Sequence, residues 1–280
     1  MTEVDLIRKL QARVPLRRGS LIQGIGDDCA IFRPKHSSED LLFTTDLMVQ
    51  DVHFRSSHSL EYVGHKALAR GLSDIAAMGG DPRFCLVSLA LPDITKADDF
   101  YRGLLRLADR TGTMLAGGDL SRARLFTVDI VVCGSAPRAK ALRRDKAQPG
   151  DFLYVSGPLG RAASRQYHDR PEPRLAFGRK LRGKASACID LSDGISLDLK
   201  RLCEASQVSA NLDLPPVFPG ATVEQALHGG EDYELLYTAS VKVPGIRVGQ
   251  IVPGEGKVSF QGQPLQPRGH DHFSNAKLVS

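Results

Sequence analysis

Aspartates stand beside apolar or glycine-rich residues at five places along this chain. The stretch CIDLSDGISLDL, residues 188–199, places Asp190 and Asp193 three positions apart where a helix is expected to begin. A single carboxylate at such a position can cap the helix, but two need another explanation. The other four stretches are GIGDDCA, TTDLM, LSDIAAMGG and AGGDLS, which contain Asp27 and Asp28, Thr44, Thr45 and Asp46, Asp74, and Asp119.

Three of these aspartates, Asp46, Asp119 and Asp190, directly follow apolar segments that we expect to be strands. Carboxylates gathered at the ends of packed strands lose water, and leaving them unpaired is costly or forces protonation. A divalent cation resolves this conflict. Because the surrounding side chains offer oxygen ligands without a cluster of His or Cys, we predict Mg²⁺ rather than zinc. For Asp27 or Asp193 taken alone, a turn or a cap is the simpler interpretation.

Mg²⁺ commonly shares its ligands with substrate phosphates, so this many carboxylates predict several ions bridging a polyphosphate. Glycine pairs near the aspartates would let the backbone approach such a ligand closely. The chain has no Walker A motif, no complete G-x-G-x-x-G before a helix and no G-x-S-x-G nucleophile motif. Most histidines are dispersed along the chain. His53 follows the acidic stretch TTDLMVQD, so we weigh a role in the site and a packing or surface role equally for this residue.

Composition favours a globular protein that acts on a small anionic molecule. The chain has 280 residues and a formal charge of +5, without basic runs interleaved with aromatic residues, so no nucleic-acid partner is expected. Five scattered cysteines without a C-x-x-C pair indicate neither disulfides nor zinc. No segment approaches the roughly 18 consecutive apolar residues of a membrane span. We therefore expect a soluble, cytoplasmic protein with no membrane partner.

The elements that must position these aspartates alternate between strands and helices. The first half predicts a helix over 3–13, strands over 29–32 and 41–45, and a long amphipathic helix over 61–78 that ends at two glycines. It continues with a strand over 84–91, a helix over 96–110 and strands over 113–116 and 125–134.

A Pro-Gly turn signal in AQPGD, residues 147–151, separates a second half. That half predicts a strand at FLYVSG, helices over 158–166, 174–182 and 195–206, a strand at ASACID, and shorter strands to the end. The strands are too irregular for a simple βαβ ladder, so the predicted class is mixed, α/β or α+β.

As a set, the motifs resemble those of the thiamine-monophosphate kinase family. In order they are GIGDDCA, TTDLMVQDVHF, KALARGLSDIAAMGGDP, GGDLSR, IDLSDGISLDL and GGEDYELLYT. Two of them also resemble the wider superfamily of aminoimidazole ribonucleotide synthetase and selenophosphate synthetase. The resemblance implies two domains, residues 1–137 with an α+β fold that dimerises through a barrel-like sheet, and residues 150–280 with an α/β fold.

The resemblance further implies transfer of the γ-phosphoryl group of ATP to thiamine monophosphate by a homodimer. It assigns Mg²⁺ ligation to Asp28, Thr44, Thr45, Asp46, Asp74, Asp119, Asp190 and Asp193. It assigns nucleotide contacts to Tyr101, Gly118, Asp119, Arg144 and Ser192. It assigns substrate contacts to His53 and Glu231, and to His270, which stands where the family usually carries a stacking aromatic residue. The resemblance further implies that four of these residues act on the phosphoryl group during transfer: Asp46, Asp119, Asp190 and Arg144.

Two alternatives stay open at this point. One is another ATP-using member of the superfamily, which would activate an amide or a selenide. The other is a nucleotide-binding relative that has lost turnover, since the second half is shorter than is usual for the family.

Overall fold

The computed structural model describes residues 3–14 and 17–269, so the proposed contact at His270 lies outside the described residues. Its α-helices are α1 Glu3–Gln11, α2 Leu60–Ala77, α3 Ala97–Thr111, α4 Arg161–Ser164, α5 Leu175–Leu181, α6 Ile195–Ser206 and α7 Val223–His228. Its strands are β1 Leu21–Gln23, β2 Ala30–Phe32, β3 Glu39–Val49, β4 Asp81–Leu91, β5 Met114–Arg122, β6 Thr127–Pro137, β7 Phe152–Val155, β8 Ala187–Asp190, β9 Ser209–Leu212, β10 Leu235–Ala239, β11 Ile246–Val252, β12 Val258–Phe260 and β13 Gln263–Pro264. Short 3-10 helices lie at Ile94–Lys96 and Arg144–Lys146.

The strands form two sheets, and the mixed fold class predicted from the sequence is confirmed. The first sheet has the order β1-β2-β3-β6-β4-β5, and the second has the order β13-β12-β9-β11-β7-β10-β8. Most neighbours are antiparallel, while β4 with β5 and β12 with β9 are parallel. This mixture explains why the sequence showed no regular βαβ alternation.

Helix α2 is the element on which the site depends. Its N-terminus is capped by Ser59, whose Oγ accepts a hydrogen bond of 3.2 Å from the backbone N–H of Tyr62. It ends before Gly79, which has a φ of +63° that glycine adopts at little cost. It packs on β3 and β6 of the first sheet and on α5 and β8 of the second half. Helix α2 therefore lies between the two sheets and faces both.

Glycines let α2 and α3 approach each other to backbone contact. A Cβ atom added at Gly103 of α3 would lie 1.9 Å from the carbonyl oxygen of Glu61, and one added at Gly64 would lie 1.9 Å from that of Phe100. No side chain can be accommodated at such distances, so these two residues set the spacing of the pair.

The larger apolar core joins both halves, because α2 and the first sheet pack against Tyr154, Leu181, Cys188 and Tyr237 of the second half. A smaller core under α6 contains Leu199, among other residues. Among the described residues, no helix is both long enough and apolar enough to cross a bilayer.

Several sequence-based boundaries were wrong. Asp46 lies inside β3 and Asp119 inside β5, and neither follows the end of a strand. Both strands are longer than their apolar segments because backbone pairing continues past them, and β5 follows β4 through its glycines. The helix predicted over 158–166 contains only the single turn of α4, while β1 and α7 were missed.

Candidate active site

A cavity of about 480 Å³ lies between the two halves of the chain. One end is acidic, with Asp46, Asp74, Asp190 and Asp193. The rest of the lining consists largely of aromatic and polar side chains from the loop after β3, from the segment after α4 and from the loop before β10. These include Asp51, His53, Phe54, Arg55, His58, Gln166, Tyr167, Glu231 and Tyr233.

Three carboxylates converge beside the acidic end from separate elements. Asp28 lies in the turn before β2, Asp74 in α2 and Asp190 at the C-terminal end of β8. One oxygen from each lies within 4.8 Å of the others, which is close enough to share metal ions. Burial raises the pKa of all three carboxyls, and the neighbouring carboxylates raise those of Asp74 and Asp190 further. The cluster therefore concentrates negative charge that needs a cation.

Hydroxyl groups hold two of these carboxylates in place. Thr44 Oγ1 donates a hydrogen bond of 2.5 Å to Asp74 Oδ2, and Ser73 Oγ donates one of 2.6 Å to Asp190 Oδ2. Ser73 belongs to α2 and Asp190 to β8, so this second bond also connects the two halves.

The available oxygens fit a hard divalent cation. Asp28 Oδ2 and Asp46 Oδ2 are buried and accept no hydrogen bond within the described part of the chain. A buried carboxylate oxygen without a partner is unfavourable, and a bound cation would satisfy it. The donors gathered here are oxygens, as Mg²⁺ prefers.

Arginines balance part of this charge. Arg70 of α2 donates to Asp46 Oδ1 at 3.0 Å, and Arg144 forms an ion pair with Asp28. Arg201 of α6 donates to Asp193 Oδ2 at 2.5 Å. Sequence reasoning named Arg144 through the resemblance but missed Arg70 and Arg201, because their partners are distant along the chain or across a turn.

Two of the three residues assigned to the substrate, His53 and Glu231, are connected through Lys66. Lys66 is 1% exposed, and its Nζ donates to Glu231 Oε2 at 2.7 Å and to the carbonyl oxygen of His53 at 2.8 Å. Glu231 has a φ of +67°, and its backbone N–H donates to Ser192 O at 2.8 Å. Lys66, which sequence reasoning missed, thus connects the loop after β3 to the GGED loop.

The structure brings together most of the residues singled out from the sequence. Asp46, Asp74, Asp190, Asp193, Ser192, His53 and Glu231 line the cavity. Asp28, Thr44 and Arg144 contact its acidic end through the ion pairs and hydrogen bonds already described.

Four others lie elsewhere. Thr45 directly precedes Asp46 in β3, so its side chain lies on the opposite face of the strand. There its Oγ1 donates a hydrogen bond of 2.8 Å to Asp129 Oδ1. Tyr101 lies on α3 and packs edge-to-face on Phe100. Gly118 and Asp119 belong to the edge strand β5. Three strand steps separate β5 from β3, or about 14 Å at the usual spacing, so a single chain does not bring Asp119 to Asp46.

Comparison with known proteins agrees with this arrangement. A family model described as AIR synthase related protein, N-terminal domain, matches residues 26–136. These residues contain the first sheet from β2 to β6 together with α2 and α3, and they supply Asp28, Asp46 and Asp74. The first part of the chain, which carries most of the first sheet and these three aspartates, is therefore similar to the N-terminal domain of AIR synthase related proteins.

Full-length relatives define the family within that class. The chain is 37% identical to thiamine-monophosphate kinase of Bacillus subtilis, over 86% of this chain and 84% of that protein. It is 33% identical to the enzyme of the same name from Haemophilus influenzae, over 99% of each. The solved structure of AaThiL complexed with AMPPCP and TMP superimposes with a TM-score of 0.86 and 30% identity, covering 97% of both chains. The chain belongs to the thiamine-monophosphate kinase family.

Proposed function

We propose that this chain transfers the γ-phosphoryl group of ATP to thiamine monophosphate, giving thiamine diphosphate and ADP. The observation that carries the proposal is that one cavity is lined both by carboxylates adjoining the metal-ligand cluster and by His53 and Glu231. It suits phosphoryl transfer from a phosphoanhydride to a phosphate monoester, because both reacting phosphates must meet where their charge can be balanced. Family membership supports this assignment, and the related AaThiL was solved with AMPPCP and TMP.

The acidic end is proposed to bind several Mg²⁺ ions. Asp28, Asp46, Asp74 and Asp190 are the principal ligands, with Thr44 and Asp193 beside them, while Thr45 is left out because its hydroxyl is bonded to Asp129 on the other face of β3. Bound Mg²⁺ would neutralise phosphate oxygens and so reduce the repulsion between the two substrates.

The chain's own residues orient the reactants. Arg144 carries a half-buried guanidinium beside Asp28, and such a group can donate two parallel hydrogen bonds to a phosphate. Ser192 precedes α6, where backbone N–H groups at the start of the helix favour an anion. His53 and Glu231, which Lys66 connects, are proposed to hold the acceptor.

The acceptor needs no general base. The second pKa of a phosphate monoester is about 6, so the attacking oxygen is already ionised near neutral pH. Positioning and charge neutralisation are then sufficient for direct in-line transfer without a phosphoenzyme.

A homodimer is part of the proposal, because Gly118 and Asp119 otherwise have no route to the cavity. Every residue of β5 is exposed, including Met114 at 68% and Leu120 at 53%. An apolar edge strand left open in this way favours association with a second copy. We propose that the partner subunit's Asp119 completes the acidic end.

Two further assignments accompany this function. The domain division at residues 1–137 and 150–280 is supported by the first sheet lying wholly before the Pro-Gly turn and the second wholly after it. A cytoplasmic location is supported by five buried cysteines that form no disulfide.

The test is ADP release by the purified protein with ATP and Mg²⁺, measured with thiamine monophosphate, with free thiamine and without an acceptor. We expect release and thiamine diphosphate only with the monophosphate, because free thiamine carries no anionic oxygen. Robust diphosphate formation from free thiamine would contradict the proposal. Release that is independent of any thiamine compound would favour another ATP-using superfamily activity, and no release would favour a nucleotide-binding relative.

A further inference from the structure

Tyr167 is an aromatic side chain in the lining of the cavity. Neither the sequence motifs nor the proposed mechanism uses it. It lies in the segment between α4 and α5, and it lines the cavity together with His53 and Glu231. Phe54 and Tyr233 also line the cavity but are only 5% and 3% exposed, whereas Tyr167 is 40% exposed. Tyr167 therefore keeps free ring surface that a ligand could cover.

The backbone that presents this ring is strained. Gln166 and Tyr167 have φ values of +52° and +61°, so two consecutive residues with side chains adopt the left-handed conformation. Such conformations persist only where the surrounding structure holds them, and they concentrate at ligand sites.

Contacts from both sides hold the strained pair. The backbone N–H groups of Gln166 and Tyr167 donate to the carbonyl oxygens of Ala163 and Ala162 at 3.1 and 2.8 Å. The hydroxyl of Tyr62 on α2 donates to the carbonyl oxygen of Tyr167 at 2.6 Å. Tyr167 is thus anchored to the helix that also carries Asp74.

A second layer of rings supports this anchor. The His58 ring stacks on Tyr62, with ring centroids 4.8 Å apart and an interplanar angle of 18°. His168 also packs against His58, with ring centroids 4.8 Å apart and an interplanar angle of 39°. The three rings restrict the movement of Tyr62 and, through its hydroxyl, of the Tyr167 backbone.

The charges near Tyr167 favour a cationic ligand. The pKa of its phenol is raised by burial first and then by the carboxylates of Glu231 and Asp232, which places those negative charges close to the ring. Asp51 also lines the cavity, while Arg55 offsets part of the charge and Lys66 is paired with Glu231. A positively charged aromatic ring would meet both an electron-rich ring face and nearby carboxylates.

We propose that Tyr167 forms the aromatic wall of the acceptor subsite, where its ring face packs against the cationic thiazolium ring of the acceptor beside Glu231. The inference rests on the proposed function for the identity of the acceptor. Tyr167 acts in binding and takes no part in the transfer, so it should affect the KM of the acceptor and leave that of ATP unchanged.

The kinetic test compares Tyr167→Leu with Tyr167→Phe. The leucine variant loses the ring, and we expect its KM for thiamine monophosphate to rise about tenfold, as for removal of a partly desolvated cation–π contact. The phenylalanine variant retains the ring and should recover most of that affinity. Equal KM values for the acceptor in the leucine variant and the unsubstituted protein would overturn the proposal, as would an equal rise in the two variants.

A binding test does not depend on turnover. The chain contains no tryptophan, so Tyr167→Trp introduces a single indole at the proposed wall. We expect its fluorescence to change on titration with thiamine monophosphate and not with ATP and Mg²⁺ or with inorganic phosphate. If calorimetry shows that this variant binds the acceptor but its indole fluorescence does not change, the proposal is overturned.

The kinetic and fluorescence tests distinguish failure of the proposed aromatic wall from failure of the proposed phosphoryl transfer. Acceptor-dependent fluorescence without phosphoryl transfer would support the wall and contradict the proposed function. Normal phosphoryl transfer with an unchanged acceptor KM in Tyr167→Leu would support the proposed function and contradict the aromatic wall.

Discussion

Asp190 shows how one side chain can be costly for folding and useful for binding. It is 4% exposed and carries a pKa raised by burial and by the neighbouring Asp28 carboxylate. Its hydrogen bond from Ser73 compensates only part of that cost. In the metal-free protein its ionised form is therefore destabilising, and a cation is needed to make the site favourable.

We expect Asp190→Asn to lower turnover by about 100-fold, because a metal ligand and its charge are lost. The same change should raise the thermal stability of the metal-free protein at neutral pH, since it removes a buried like charge. The measurement is steady-state kinetics at saturating Mg²⁺, combined with calorimetry in chelator.

Calorimetry with added Mg²⁺ checks the cause. Mg²⁺ should raise the melting temperature of the unsubstituted protein more than that of the variant, because binding to the folded state stabilises it by mass action. Exposed Asp213→Asn is the matched control and should change neither property. Near-normal turnover in Asp190→Asn would remove this residue from the metal site.

At the scale of elements, the spacing of α2 and α3 determines where the site residues of α2 lie. Fourteen residues of α2 are buried, which fixes the helix in its packing. One face of α2 carries Lys66, Arg70, Ser73 and Asp74 to the cavity region. The contact of Gly64 and Gly103 with the facing backbones is the closest approach in this packing.

We expect Gly103→Ala to destabilise the protein by about 2 kcal/mol or more, as overpacking does. Alanine is the better helix former by about 1 kcal/mol, but the contact with the Glu61 carbonyl is with rigid backbone and outweighs that gain. Urea unfolding would measure the difference. Asp109→Ala, at an exposed position of the same helix, is the control, and equal midpoints for the two variants would show that α3 can move away without cost.

At the scale of the whole molecule, the cavity is built from both halves, while β5 lies on the far edge of the first sheet. Under the proposed function, Asp119 would join the acidic end from a second copy. In a twofold dimer the two β5 strands would make the same contacts with each other's subunits, so each copy would complete the other's site.

Mixing two inactive variants tests this arrangement. We expect Asp119→Asn and Asp190→Asn each to have little activity alone. After unfolding and refolding together, half of the dimers should contain both variants and one intact site each, restoring about a quarter of the normal activity. Refolding each variant separately is the control. No recovery, in a mixture shown to contain mixed dimers, would mean that Asp119 does not act across subunits.

The sequence by itself determined the chemistry of the site. The aspartates beside apolar segments, together with the lack of a Walker A motif, predicted an oxygen-ligand cluster, and the ordered motifs identified the family. The long helix α2 was predicted within one residue at each end, because its apolar spacing and terminal glycines are local signals.

Only the tertiary structure decided which charges meet. Arg70 and Lys66 looked like ordinary helix residues, yet each contacts a carboxylate from a distant part of the chain. The strand predicted over 113–116 was also too short, because the glycines of β5 gain their strand geometry from pairing with β4. Hydrogen bonding between strands, desolvation and ion pairing depend on groups brought together by folding, and local composition does not specify them. Sequence therefore determined which ligands the chain offers, and the fold decided where they converge.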